Sequence, residues 1–382
     1  MKKTSPPVFY YHSVAPGLFN DWVLRFLTLR LDNFEQQMAY LKDRNLNAIF
    51  MDEWLRIRRG EKAAKGNEVC LTFDDGLLDN WVYAYPVAKK YGMRFTIFVS
   101  PECIEPRSVV RPTLEDVWNG TCKESDLEAL GYLSWDELKR MQESGVVDVQ
   151  SHTMTHAKYV SGPRVRGYYY GGFKGLHSIL NANPGIRATY MSDSRFEKRL
   201  PLGTPLFEES SAVVVKKHQV NPAFMEAARS LAKKYDLTDA EQRPTYEQEA
   251  AELGASYEQE MIKGIEPEME FRARLEYEIV DSRQIIEEKL GKPVHFLCWP
   301  HGDNNLATHV IAKEAGYWAT TSGKMLNERD KPDRIPRIAA DFENGPWVNR
   351  QKFHFKIAAH YGRQPYAAIS ALNDLKNKVL QR

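Results

Sequence analysis

Val69-Cys70-Leu71-Thr72-Phe73-Asp74-Asp75-Gly76 is the run on which the reading of this 382-residue chain turns. Five residues suited to a pleated strand stop abruptly at two adjacent carboxylates and a glycine. Residues 146–150 repeat the form, an apolar strand-like run leading straight into Ser151-His152 and on to His156. In β/α barrels the C-terminal ends of the strands carry the functional loops, so strands that end in ligand-type residues point to that architecture. Outward from these two runs, residues 8–11, 47–51, 95–99, 295–299, 317–320 and 334–338 also read as strands. Between them lie helical patterns. Asp32 reads as a cap, with Glu35 completing a capping box and Phe34, Met38 and Leu41 on one face. Ser134 and Glu137 open another helix in the same way, and Gly291 closes a long charged one over 268–290. Helices are also expected up to Tyr91, over 305–315, and after Pro365 over 367–380, while 101–131 reads as irregular. This alternation predicts a parallel α/β fold, closed or nearly closed.

Residues 157–267 break the rhythm. They begin with the Tyr- and Gly-rich run Gly167 to Gly172 and continue through a polar helical stretch over about 222–263. The chain therefore divides into 1–156, an insertion over 157–267, and 268–382. A barrel needs about 250 residues, so a large insertion also accounts for the length. Hydrophobic residues make up 43% and charged residues 27%, enough for a sizeable core and too apolar for wholesale disorder. Lys+Arg 52 against Asp+Glu 51 leaves a net charge of +1, without the basic excess of a nucleic-acid binder. No apolar run approaches the roughly 18 residues of a membrane span. The start, Met1-Lys2-Lys3, lacks the apolar segment of a signal peptide, so the expectation is cytoplasmic, or exported if a leader precedes Met1. Cys70, Cys103, Cys122 and Cys298 are scattered and read as reduced thiols.

Two adjacent carboxylates raise one another's pKa unless a cation neutralises them. The bland reading of Asp74-Asp75-Gly76 is an acidic turn. His152-Thr153-Met154-Thr155-His156 places two imidazoles four apart, able to converge on one face and offer nitrogen ligands. Its bland reading is a pair of unrelated loop histidines. One Asp and two His leave coordination positions open, the pattern of a catalytic metal site.

Thr72-Phe73-Asp74-Asp75-Gly76 followed by His152 to His156 resembles the first two motifs of the NodB-type polysaccharide deacetylases, carbohydrate esterase family 4. Tyr11-His12-Ser13-Val14 resembles the YHSV start of one branch, and Phe34 to Leu41 its first helix. Cys298-Trp299-Pro300-His301-Gly302 resembles that branch's AYPYG segment. The resemblance implies a distorted (β/α)7-type barrel and metal-dependent removal of an acyl group from a sugar amide. It implies Asp75, His152 and His156 as metal ligands and Asp74 as general base. One divalent ion is expected, Zn2+ first, with Co2+, Ni2+, Mn2+ or Fe2+ also suited to such a site. The implied partner is an N-acylated sugar.

The departures set further expectations. Many members carry an arginine where Cys298 stands, in contact with the base. Arg334 and Arg337, beside the last expected strand, are candidate replacements; the bland reading of both is a surface charge, and it is favoured for Arg334. No LxLH segment supplies the histidine acid, which leaves His12, His301 and His360 as candidates, His12 first because it ends the first strand. The backbone N–H of His301 can also serve an oxyanion. Trp299, Pro300, His301 and Tyr169 are candidate substrate contacts. The insertion leaves the chain right after the metal histidines, so it should lie over or beside the site, or make a homo-oligomer contact. Its aromatics, Tyr168, Tyr169, Tyr170 and Phe173, with Trp118 outside it, could face sugar rings; the bland alternative is a small core of its own. The leading reading is an N-deacetylase of an amino-sugar glycan. Hydrolysis of a formamido sugar or another amide, and an inactive carbohydrate-binding homologue, are the alternatives.

Overall fold

The computed structural model describes residues 5–17, 25–128, 130–171, 201–340 and 345–372. Its main sheet has nine described strands, eight short ones in one row and Asn47–Ala48 paired to Glu68–Phe73 beside it. The eight in the row are β1 (Val8–Tyr11), β2 (Glu68–Phe73), β3 (Phe95–Val99), β4 (Val147–Ser151), β5 (Phe296–Leu297), β6 (Ala319–Thr321), β7 (Arg334–Ile335) and β8 (Ile338–Ala339). Their spatial order is β7-β6-β5-β4-β3-β2-β1-β8, and every pairing along it is parallel. Every residue of β2 and β3 is buried, as expected for parallel strands covered on both faces. The two edges, β7 and β8, are separated in sequence only by Pro336 and Arg337. So short a link reaches about 10 Å, so the sheet curls until its edges nearly meet. The result is the distorted barrel expected from the sequence, with Arg337 on its closing seam.

Helices pack outside this sheet. Ser134 caps Trp135–Glu143 by accepting the Glu137 N–H, and Gly291 ends the 268–290 helix in the left-handed conformation. Other elements differ from expectation. Arg30, not Asp32, precedes the helix Leu31–Asp43, because the Asp32 carboxylate is taken by the Asn33 N–H at 2.8 Å and by the Arg30 guanidinium. Glu35 pairs with Lys90 instead of closing a box. Only Asn47–Ala48 of 47–51 is strand. Met51 begins the helix Met51–Arg58, whose Met51, Trp54, Leu55 and Ile57 are buried. The helix Pro346–His360 had no sequence-level expectation. It docks on Leu31–Asp43, with Asn349 Oδ1 accepting from Gln37 Nε2 at 2.6 Å and Phe353 against Phe9.

In the insertion, Lys158–Tyr168 pairs antiparallel with Pro205–Ser211. The expected helix over 222–263 is two, Pro222–Ala232 and Arg243–Ser256, followed by a strand, Ile262–Ile265. The break follows from Asp236, whose carboxylate takes the Thr238 N–H and stabilises a turn instead of a further helical turn. Two small apolar clusters, one around Phe207 and Phe224 and one around Leu237 and Tyr246, lie within this segment. Phe173 and residues 373–380 of the expected terminal helix lie outside the described residues. Among the described residues no helix is long and apolar enough to cross a membrane.

Candidate active site

The β2 strand delivers Asp74 and Asp75 to the C-terminal end of the sheet. Asp75 and Gly76 are both left-handed, with φ of 72° and 69°, and this twist lets adjacent carboxylates face different partners. A Cβ on Gly76 would stand 3.0 Å from Val99 Cγ1, so the turn leaves little room there. Asp75 Oδ1 lies 3.1 Å from His156 Nε2 and 3.4 Å from His152 Nε2. The Nδ1 of His152 is bonded to the Cys298 carbonyl at 2.9 Å, which leaves Nε2 as the nitrogen turned to Asp75. One oxygen and two nitrogens thus converge, their ligand atoms within 4.8 Å of one another, and this donor set fits a divalent cation. Burial alone would raise the Asp75 carboxyl. His156 and His152 outweigh it and hold Asp75 well below the usual carboxylate range.

Asp74 belongs to a different circle. Arg337 Nη1 and Nη2 donate to its two oxygens at 2.7 and 2.9 Å, a bidentate pair between a half-buried guanidinium and a buried carboxylate. His12 Nε2 stands 3.8 Å from Asp74 Oδ2, and Cys298 Sγ stands 3.7 Å from both oxygens. Burial pushes the Asp74 carboxyl up, but Arg337, His152 and His12 outweigh it and hold it below its ordinary value. Cys298 occupies the place of the missing arginine, and Arg337 makes the contact with the Asp74 carboxylate from the barrel seam.

A cavity of about 500 Å³ opens over these groups, with Tyr10, Trp299, His301 and Lys324 in its wall. His301 sits edge-on to His156, ring centroids 4.5 Å apart, in a turn where its own φ is 57°. Five described non-glycine residues have positive φ, and four of them, Asp75, Thr153, His156 and His301, lie in this site. Such clustering is a mark of functional loops held by their surroundings.

Other candidates are placed elsewhere. Arg334 is not a surface charge but fully buried, donating to Asn304 Oδ1 at 3.1 Å and Thr320 Oγ1 at 3.0 Å. His360 bonds the Ser5 carbonyl at 2.7 Å, away from the cavity. Tyr169 is fully buried, its backbone paired with Thr204 and Gly203, so it presents no face to a sugar. Pro300 is buried and does not line the cavity, and Trp299, though it borders the cavity, is itself fully buried. Tyr168 and Tyr170 pack edge-on against Tyr246, the insertion's own core.

Sequence reading overlooked two buried acids. Asp79 accepts from Ser13 Oγ at 2.5 Å and Asn80 Nδ2 at 2.8 Å, and Asn80 donates at 2.7 Å to the His12 carbonyl, so this pair fixes the His12 segment. Glu278 lies against the loop that carries His152 and His156. Each interrupts an apolar run, Asp79 after Leu77-Leu78 and Glu278 before Ile279-Val280, and that interruption was the available signal.

Residues 61–200 match the family described as Polysaccharide deacetylase. The chain is 28% identical over 155 residues to YxkH of Bacillus subtilis (strain 168), a protein assigned by name to the polysaccharide deacetylases. That match covers 41% of this chain and 44% of YxkH. It is 26% identical over 163 residues to the poly-beta-1,6-N-acetyl-D-glucosamine N-deacetylase of Staphylococcus aureus (strain MSSA476), covering 40% of this chain and 49% of that protein. The chain thus spans less than half the length of these curated relatives. Its fold is similar to a solved de-N-acetylase from Aggregatibacter actinomycetemcomitans, with a TM-score of 0.52 and 16% identity over 91% of this chain and 98% of the other.

Proposed function

We propose that this chain, whose residues 61–200 match the polysaccharide deacetylase family, is a metal-dependent hydrolase removing an N-acetyl group from an amino-sugar glycan. The observation that carries the reading is the division of labour between adjacent carboxylates, Asp75 with two imidazoles and Asp74 with a guanidinium. Asp75, His152 and His156 would hold the cation, with Zn2+ first among those the donors suit. When bound, such an ion lowers the pKa of water from about 15.7 towards about 7 and polarises a carbonyl.

The chain's own residues do the rest. Asp74, kept ionised and oriented by Arg337, takes the proton of the attacking water. The water oxygen adds to the acetyl carbonyl carbon, and the backbone N–H of His301 serves the developing oxyanion. His12, beside Asp74, gives a proton to the sugar nitrogen as the C–N bond breaks, leaving acetate and a free amine. His301 forms a wall against which the sugar rests, with the fully buried Trp299 packed beside it. The bidentate Arg337–Asp74 pair favours this reading over an inactive binding protein, because it supplies the contact that Cys298 cannot.

The test is acetate release from β-1,6-linked N-acetylglucosamine oligomers by metal-loaded protein, with and without a chelator. The proposal expects release that the chelator stops. Metal-loaded protein that yields no acetate from any N-acetylated glycan of a panel contradicts it. Formate from N-formyl sugars, without acetate, moves the reading to a deformylase.

A further inference from the structure

The five residues His152 to His156 leave β4 and turn sharply, with Thr153 and His156 at φ of 64° and 53°. Backbone in that region holds only where its surroundings over-determine it. Residues near 100 supply part of those surroundings, and Glu278, more than 100 positions away, supplies a further part. Glu278, 1% exposed, accepts the Met154 N–H at 3.1 Å and the Thr155 N–H at 3.0 Å on Oε2, and the Thr155 hydroxyl on Oε1. The Thr155 oxygen in turn accepts the Ala157 N–H at 3.1 Å. The helix itself is adapted to this clasp. It changes to a π-turn over Tyr277–Asp281, which frees carbonyls from the regular ladder. The Glu278 carbonyl accepts the Met154 N–H at 3.0 Å, and the Ile279 carbonyl accepts the Tyr317 hydroxyl at 2.9 Å.

We infer that Glu278 is a positioning residue for the cation site: its carboxylate and the π-turn hold the loop between His152 and His156 so that both imidazoles face Asp75. This deepens the metal-dependent reading and rests on it. Glu278 acts on the cation site only through the loop residues Met154 and Thr155, so its loss should loosen the geometry of the ligands without removing one of them. Partners at this remove tune metal affinity by about 10- to 100-fold.

Co2+ is the probe, because its visible absorption reports coordination geometry independently of turnover. The full chain, stripped of metal, is titrated with Co2+ as wild type, Glu278→Met and Glu278→Gln. Methionine fills similar space but accepts none of the three hydrogen bonds, whereas glutamine keeps an oxygen for the two N–H groups. The inference expects Glu278→Met to bind Co2+ about 10- to 100-fold more weakly with an altered band, and Glu278→Gln to be rescued towards wild type. A purely structural role would lower the melting temperature and leave affinity and band unchanged, and that result overturns it. If Glu278→Met does not fold, Thr155→Val and Thr155→Ser decide. Weakened binding in the valine variant alone supports the clasp, and wild-type binding in it overturns the clasp. Wild-type protein that takes up no Co2+ overturns the metal reading itself and this inference with it, so the two failures are distinct.

Discussion

Asp74 and Asp75 are covalent neighbours that the site treats as different reagents. The difference comes from their partners, a planar guanidinium on one side and two imidazoles on the other. Asp74→Asn keeps size but cannot take a proton, so turnover should fall by about 10²- to 10⁴-fold while metal content per chain is unchanged. Equal loss of metal would show instead that the two carboxylates act as one ligand group. Arg337→Met makes a pH prediction. Burial pushes the Asp74 carboxyl up and Arg337 is the largest influence pulling it down, so without Arg337 this carboxylate takes up its proton at higher pH. The acid limb of the kcat/KM profile should therefore move to higher pH, and an unmoved limb would contradict the pairing. At this scale the sequence was legible where residue type declared the chemistry, as in Asp74-Asp75 and His152 to His156. It was not legible where a role depends on a long-range partner. Arg334 and Arg337 look alike in sequence, and only the seam between β7 and β8 puts one in the interior wall and the other on Asp74.

Single elements carry their own constraints. The segment from β2 through Asn80 holds Asp79 in full burial, and this pushes its carboxyl up to about 8 despite hydrogen bonds from Ser13, Val14 and Asn80. An unfolded Asp titrates near 3.9. The folded chain therefore binds that proton more tightly, and the stabilisation is complete below about pH 4 and is lost as pH rises through about 8. Asp79→Asn removes the slope. Between pH 5 and pH 8 or so, the wild-type melting temperature should fall relative to that of the variant, and parallel curves would contradict the assignment. The turn at His301 depends on a close backbone approach. A Cβ on Gly323 would lie 2.2 Å from the Gly302 carbonyl oxygen. Gly323→Ala should push that turn away and cost at least about 1 kcal/mol of stability, measured by denaturant unfolding. Periodicity found most elements that alternate with turns. It failed over 47–51, where only Asn47–Ala48 is strand and Met51 already begins a helix, and over 222–263, where Asp236 breaks a polar run.

Across the whole molecule, a curled parallel sheet gathers groups from β1, β2, β4, the β5 end and the seam at one end of the barrel. His12, Asp74, His152, His301 and Arg337 are far apart in the chain and share one cavity. The fold class was readable because strand and helix patterns alternate, and because strands ended in functional residues. The closing seam was not, since two-residue strands such as β7 and β8 carry no periodicity. The insertion's contribution was not either, because its tyrosines serve its own packing. The account rests on a cation held by Asp75, His152 and His156, and one measurement tests it most directly: metal content per chain by elemental analysis after dialysis against Zn2+, for wild type and His152→Ala. About one ion in wild type, lost in the variant, is the predicted result. No retained ion in wild type, or equal content in both, would contradict it.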